Sequence, residues 1–391
     1  MTDSALEVHN FFAEQKENFI NLLRSLVEQE TPSNQPSSFD EILDIISRNF
    51  QALDFNVEHR EGQKTAGQLL CRSKDFNPEA PAQLIVGHID TVWNIGTLIE
   101  MPFLADNNEV SGPGVFDMKA GICMMIFSMK AITQLEKNLE VQPVFLLTTD
   151  EEIGSRESKD LIIEQAKLAE RTFVLEPALD AEGKIKTERK GIGQFEITIK
   201  GHPSHAGLDP EKGASAIVGL SNVVQQLVAL NAPEKGISVN VGTIEGGERA
   251  NVVAEKSKAV VDVRVPTKED GEFIKKSIYN IDPGLERVKV TVTGDIGRPP
   301  LEKNEANQKL WEITKSLGAD LDIDLQEGKS GGGSDGNYTN LHSPTIDGLG
   351  AVGEGAHAYH EKIYLEETLK RAELLTLLLL HPSLNMTSTG S

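Results

Sequence analysis

Leu84-Ile85-Val86-Gly87-His88-Ile89-Asp90 is an apolar run of strand length that stops on an imidazole and a carboxylate. The same design recurs twice. Residues 144–149 run into Asp150-Glu151-Glu152, and Phe173-Val174-Leu175 runs into Glu176. Runs apolar at successive positions, rather than alternating, mark strands buried on both faces. Helical periodicity fills the intervals, at 120–135 and 157–170. Upstream lie an amphipathic helix through Phe11, Phe12, Phe19, Leu22 and Leu26, a second helix over 39–53 and a short strand over 68–71. Strands alternating with helices predict an α/β layer: a mostly parallel central sheet flanked by helices.

The rhythm changes near residue 190. Strand, helix, strand, strand, helix, strand fall at 194–200, 213–230, 237–244, 257–265, 268–279 and 287–293. That order is the ferredoxin-like α+β pattern. The Gly297-Arg298-Pro299-Pro300 connector closes it, and helix, strand, a glycine-rich loop and a terminal helix over 365–380 follow. The expected organisation is therefore a first part of the main domain at 1–189, an inserted domain at 190–297, and a second part of the main domain at 298–391.

The chain's 391 residues include 38 basic and 60 acidic ones, a formal charge of −22. Such a surface repels phosphate backbones and anionic membranes, so neither nucleic acid nor a membrane is expected as a partner. The longest apolar window, 374–380, is far short of the ~20 residues that a spanning helix needs. The first ten residues carry Asp3 and Glu7 and lack a basic start followed by an apolar run, so no secretory signal is read there. Cys71 and Cys123 stand far apart, as reduced thiols of a cytoplasmic protein would. In that setting Asn385-Met386-Thr387 is a chance glycosylation match.

In open α/β sheets, sites form at the carboxyl ends of the strands. Acids and histidine delivered to one such edge are costly without a cation to neutralise them. His88 and Asp90 are two apart and share a face of an extended chain. A metal-bound imidazole gives its other N–H to a carboxylate, and the Asp90 side chain supplies one locally. Gly112-Pro113-Gly114 makes a tight turn leading to Asp117. Adjacent acids such as Glu151 and Glu152 point different ways, so one can ligate a metal while its neighbour takes a proton.

Together, the segments 87–92, 112–119 and 149–155 resemble the dinuclear zinc exopeptidase and aminoacylase family, and its glutamate carboxypeptidase branch in particular. The resemblance implies two zinc ions per chain, with cobalt or manganese as alternatives. His88 and Glu176 would hold one ion, Glu152 and a late histidine the other, and Asp117 would bridge them before a cis peptide bond. Glu151 would be the general base. Of the two late histidines, His357 is favoured over His360, because small residues before it let the backbone come close. Gly201-His202-Pro203-Ser204-His205 resembles the segment whose second histidine stabilises the tetrahedral intermediate, which makes His205 the oxyanion donor. Asn251 resembles a lid asparagine that touches substrate. Arg264, Arg298 and Lys184 are candidates for a substrate carboxylate, each equally readable as a surface ion pair. Gly332, Gly333 and Ser334 belong to a loop whose amides can form an anion nest. The implied reaction is hydrolysis of an amide beside a free carboxylate, releasing a C-terminal amino acid such as glutamate. N-acyl-amino-acid deacylation is the same chemistry on a relabelled substrate, and a catalytically inactive binding protein is the reading from another class. The expected partners are a small peptide or N-acyl amino acid, and a second copy of the chain in a homodimer joined through the inserted lid domain.

Overall fold

The apolar runs become a six-stranded sheet. The computed structural model describes residues 1–384, and the 385–387 sequon lies outside them. Across the sheet the order is Phe55–Arg60, Gln68–Ser73, Gln142–Thr148, Ala82–His88, Ala169–Val174, Thr345–Ile346. The last four run parallel, while the first two pair antiparallel at one edge, so the sheet is mixed.

Alternation sorts each central strand between two cores. Leu84, Val86, Val144, Leu146 and Val174 pack on Leu161, Ile162 and Ala166 of the Lys159–Leu168 helix. Ile85, Phe145, Leu147 and Phe173 face the opposite way, into the larger core. That core holds the helices Asp3–Val27, Asp40–Gln51, Ala120–Gln134 and Leu365–Leu380. Phe50, Phe55 and Phe145 interlock there, with ring centroids 4.9–5.6 Å apart. Two helical layers thus cover the sheet, and no described helix is long and apolar enough to cross a membrane.

The chain divides into two compact units. The first comprises, of the described residues, 1–187, 303–329 and 334–384, and carries the mixed sheet. The second comprises residues 188–302 and 330–333. Its four strands are all antiparallel, in the order Ser238–Gly246, Lys256–Val265, Gly191–Lys200, Lys289–Arg298. The helices Ala216–Ala229 and Lys268–Tyr279 bury Leu220, Val223, Leu227, Ile274 and Ile278 against Phe195, Ile197, Ile199 and Val261. Along the chain this is strand, helix, strand, strand, helix, strand.

Two of the shifted boundaries have a visible cause. Residues 157–158 stay outside the helix, because the Asp150 carboxylate takes the Glu157 and Ser158 amides at 2.8 and 3.3 Å. Residues 297–298 continue a strand rather than a connector: a register shift between Ile296 and Arg298 lets pairing resume at Ile192.

Candidate metal centre

Parallel pairing sets the site. His88 ends its strand opposite Thr148, and the Ile89 amide donates to Thr148 O at 2.8 Å. The Leu175 amide donates to Val86 O at 2.9 Å. The residues just beyond these three strands, His88 to Asp90, Asp150 to Glu152, and Glu176, therefore emerge at one edge.

Asp117 and His357 arrive on loops with special backbones. Gly112 and Gly114 take φ values of 151° and 72°, and the Asp117–Met118 peptide is cis. His357 itself lies in the left-handed region at φ 62°.

Asp117 is the hinge of the arrangement. Its Oδ1 lies 3.1 Å from His88 Nε2, and its Oδ2 lies 3.5 Å from His357 Nε2. Each imidazole meets one further carboxylate. His88 Nε2 is 3.5 Å from Glu176, and His357 Nε2 is 3.2 Å from Glu152. Two half-sites thus share one aspartate, with Glu151 close by. The sets His88, Asp117, Glu152 and His88, Glu151, Glu176 each bring ligand atoms within 4.8 Å of one another.

Asp90 is fully buried and does two jobs. Its backbone carbonyl accepts from His88 Nδ1 at 2.9 Å, while its carboxylate oxygen stays 3.4 Å away. The expected acceptor was the carboxylate, and the carbonyl is the nearer group. Since a carbonyl only accepts, Nδ1 carries the proton and Nε2 faces the acids. The carboxylate instead takes Ser33 Oγ at 2.7 Å and the Glu151 and Glu152 amides at 3.2 and 3.1 Å. It thereby fixes the turn that presents both glutamates.

The charge balance calls for cations. Burial pushes the His88 pKa down, but Asp117, Asp90 and Glu176 drive it well above the ordinary value. Asp117 and Glu152 lift His357 to about 10. Burial raises Glu152 despite its bond to His357. Burial also opposes Asp117, yet the two imidazoles hold its carboxyl far below the usual range. Positive charge on the histidines balances these acids, and divalent ions supply it better, because neutral imidazole then ligates. Nitrogen and carboxylate donors in this mixture suit a pair of borderline divalent metals.

The other candidates divide between the two units. Lys184 is 3.0 Å from Asp180 and 3.7 Å from Glu182, and Arg264 forks onto Asp262 at 2.9 and 3.1 Å, so both are engaged by neighbours. Ser334 is buried, with its hydroxyl on Asp347 and its amide on Asn337 Oδ1 at 2.8 Å. In the second unit, Arg189 Nη1 donates to the carbonyls of Gly332 and Gly333 at 3.3 and 3.1 Å. Arg298 is 7% exposed there, so close to Gly333 that a Cβ on that glycine would lie 2.8 Å from Arg298 Cδ. His205 and Asn251 of the same unit lie on adjoining strands of chain: His205 bridges Val252, and the Ala206 amide donates to Asn251 O at 3.0 Å. His205 Nδ1 accepts from the Gly207 and Leu208 amides at 3.1 and 3.2 Å, which leaves the ring proton on exposed Nε2. His360 is exposed. Sequence reasoning missed Ser33 and Glu361. The latter hides in a charged His-Glu-Lys triplet, and its one signal is an acid four residues after His357.

The chain is 30% identical to carboxypeptidase G2 of Pseudomonas sp. (strain RS-16) over 282 residues, 70% of this chain and 67% of that one. Its fold is shared with aminopeptidase PepT of Bacillus cereus, at a TM-score of 0.77 and 22% identity over 93% of this chain and 98% of that one. It is shared too with the dinuclear metal-binding peptidase YxeP of Bacillus subtilis, at a TM-score of 0.70 and 17% identity over 94% and 98%. The model of peptidase family M20/M25/M40 matches residues 84–381, which take in His88, Asp117, Glu152, Glu176 and His357 alike. The chain belongs to that family, as a dinuclear metal-dependent peptidase.

Proposed function

We propose that the chain is a zinc carboxypeptidase that hydrolyses an amide bond beside a free carboxylate and releases a C-terminal amino acid such as glutamate. The observation that carries this reading is Asp117, whose two oxygens meet two imidazoles, each with its own further glutamate. His88 and Glu176 would hold one ion, Glu152 and His357 the other, and Asp117 both. When bound, the pair polarises the scissile carbonyl and lowers the pKa of water.

Glu151 accepts the proton of the attacking water and delivers it to the departing amine nitrogen. Asp90 aims Glu151 by holding its amide, and fixes the His88 tautomer through its own carbonyl. His205, with Nδ1 already occupied, donates Nε2–H to the developing oxyanion. Asn251 contacts the substrate beside it. Arg298, beside Gly333, receives the substrate carboxylate; buried Ser334 has its amide and hydroxyl taken by Asn337 and Asp347. Arg264 and Lys184 are weaker partners for it, since each already faces an acid.

The second unit serves as a ferredoxin-like lid and as the surface of a homodimer. Ser238–Gly246 is an edge strand, and edges invite pairing. It carries exposed Ile244, which with exposed Ile217 and with Leu220 and Val224 of the Ala216–Ala229 helix lines a groove of about 290 Å³. In such a dimer His205 acts on the partner's centre. Free, buried Cys71 and Cys123 suit the reducing cytoplasm.

The test is a panel of dipeptides and N-acyl amino acids, each with a free and an amidated C-terminus, assayed for released amine with zinc-loaded chain. Cleavage confined to the free acids supports the reading. Equal cleavage of the amides refutes the carboxylate requirement, and preference for N-acetylated basic amino acids over acyl-glutamates points to a deacylase.

A further inference from the structure

Glu361 is fully buried, four residues beyond His357. Its Oε1 accepts from the amides of Phe116 at 2.9 Å and Asp117 at 3.0 Å. Its Oε2 accepts from the Gly114 amide at 2.9 Å and from Trp93 Nε1 at 2.7 Å. A carboxylate offers about four lone-pair sites, and all four are taken. This group therefore has no site left for a metal or for a substrate proton. What it joins is specific: the loop that carries Asp117, the segment just past Asp90, and the loop that carries His357.

The two loops are shaped to meet it. Gly112 and Gly114 take positive φ in the loop whose 114, 116 and 117 amides turn toward Glu361. Gly355 folds the His357 loop back, and a Cβ there would lie 2.9 Å from the Glu361 amide nitrogen. Main-chain bonds reinforce the tie: Gly112 N–H donates to Glu361 O at 3.4 Å, and Glu361 N–H to Ala358 O at 2.9 Å. A buried carboxylate is costly unless its partners are fixed in advance. Here three of the four partners are backbone amides of the shared ligand's own loop.

We propose that Glu361 is a positioning residue that clamps the Asp117 loop to the His357 loop, so that the shared carboxylate and the late imidazole are presented together to two divalent ions. This rests on the dinuclear reading above. The clamp acts through the backbone and touches no reacting atom.

The test uses chelator-stripped full-length chain titrated with Co(II) alone. It reads both binding steps, the visible Co(II) spectrum, and the Tm of the metal-free protein. Glu361→Gln replaces an acceptor oxygen by NH₂, which cannot accept from an amide. It should weaken Co(II) binding by roughly 10–100-fold, the usual size of an effect behind a ligand, and alter the spectrum. Trp93→Phe removes one donor of four and should weaken binding by a smaller factor. It keeps the question answerable if Glu361→Gln does not fold. A lower metal-free Tm with unchanged Co(II) affinity and spectrum would make Glu361 a merely structural residue and overturn the proposal; so would unchanged affinity in Trp93→Phe when Glu361→Gln fails to fold. Wild-type chain that fails to take up two ions would overturn the dinuclear reading, and this inference with it.

Discussion

Replacing Glu151 with Gln separates its two possible duties. Glu151 stands near enough to His88 and Glu176 to be a third ligand, and is also the acid best placed to be the base. Its turn, Glu151–Ile153, is held from the backbone by Asp90, so a side-chain amide leaves the turn intact. Gln has the same shape but accepts no proton. Loss of a general base costs about 10²–10⁴-fold in rate, or roughly 3–5 kcal/mol of transition-state stabilisation. The fall should lie at the upper end, because one group serves first as base and then as acid. Metal content should not change. Glu152→Gln is the contrast, since its oxygen lies 3.2 Å from His357 Nε2 and its loss should empty one half-site. The assay pairs elemental analysis of gel-filtered protein with kcat on a cleaved acyl-glutamate. An ion lost from Glu151→Gln would show that Glu151 is a ligand, and wild-type turnover would show that it is not the base.

Three other outcomes follow from the geometry. His357→Ala should lose an ion and most activity by elemental analysis and rate, whereas exposed His360→Ala should keep both; the reverse would mean that the other histidine is the ligand. Mixed Glu151→Gln and His205→Ala chains should regain activity once subunits exchange, because a heterodimer has one centre with an intact base and a donor from its partner; exchange without activity would place His205 on its own chain's centre or on none. Glu157 holds the 63–65 loop through the Gln63 and Lys64 amides at 3.0 and 2.9 Å and Thr65 Oγ1 at 2.8 Å. Burial opposes them, but these donors lower its pKa below the ordinary 4.5. A depressed carboxylate stabilises the fold above the unfolded pKa and loses that contribution as pH falls through the folded one. The Tm gap between wild type and Glu157→Gln should therefore be full near pH 7 and narrow as pH falls below the ordinary 4.5; a gap that widens on acidification would reverse the sign.

The central strands were legible because they are buried on both faces, so that apolar runs ending on His88, Asp150 and Glu176 stood out. The edge strand Phe55–Arg60 was not, since only Phe55 is buried along it and its polar side chains resemble a loop. Three motifs offered His88, Asp117 and Glu152 as candidate ligands, and the structure brings these three together. The assignment of His88's acceptor was not, because a carbonyl is invisible in a residue code. Glu361 was hidden for a related reason. Its partners are three amides and one indole on segments some 250 residues away in sequence, and a backbone amide leaves no mark on the identity of its residue.

Anomalous scattering at the zinc edge from zinc-loaded crystals tests the central claim most directly. The account predicts two peaks per chain, ~3.5–4 Å apart, with Asp117 between them, His88 and Glu176 on one, and Glu152 and His357 on the other. A single peak, or a pair held by other residues, would contradict it.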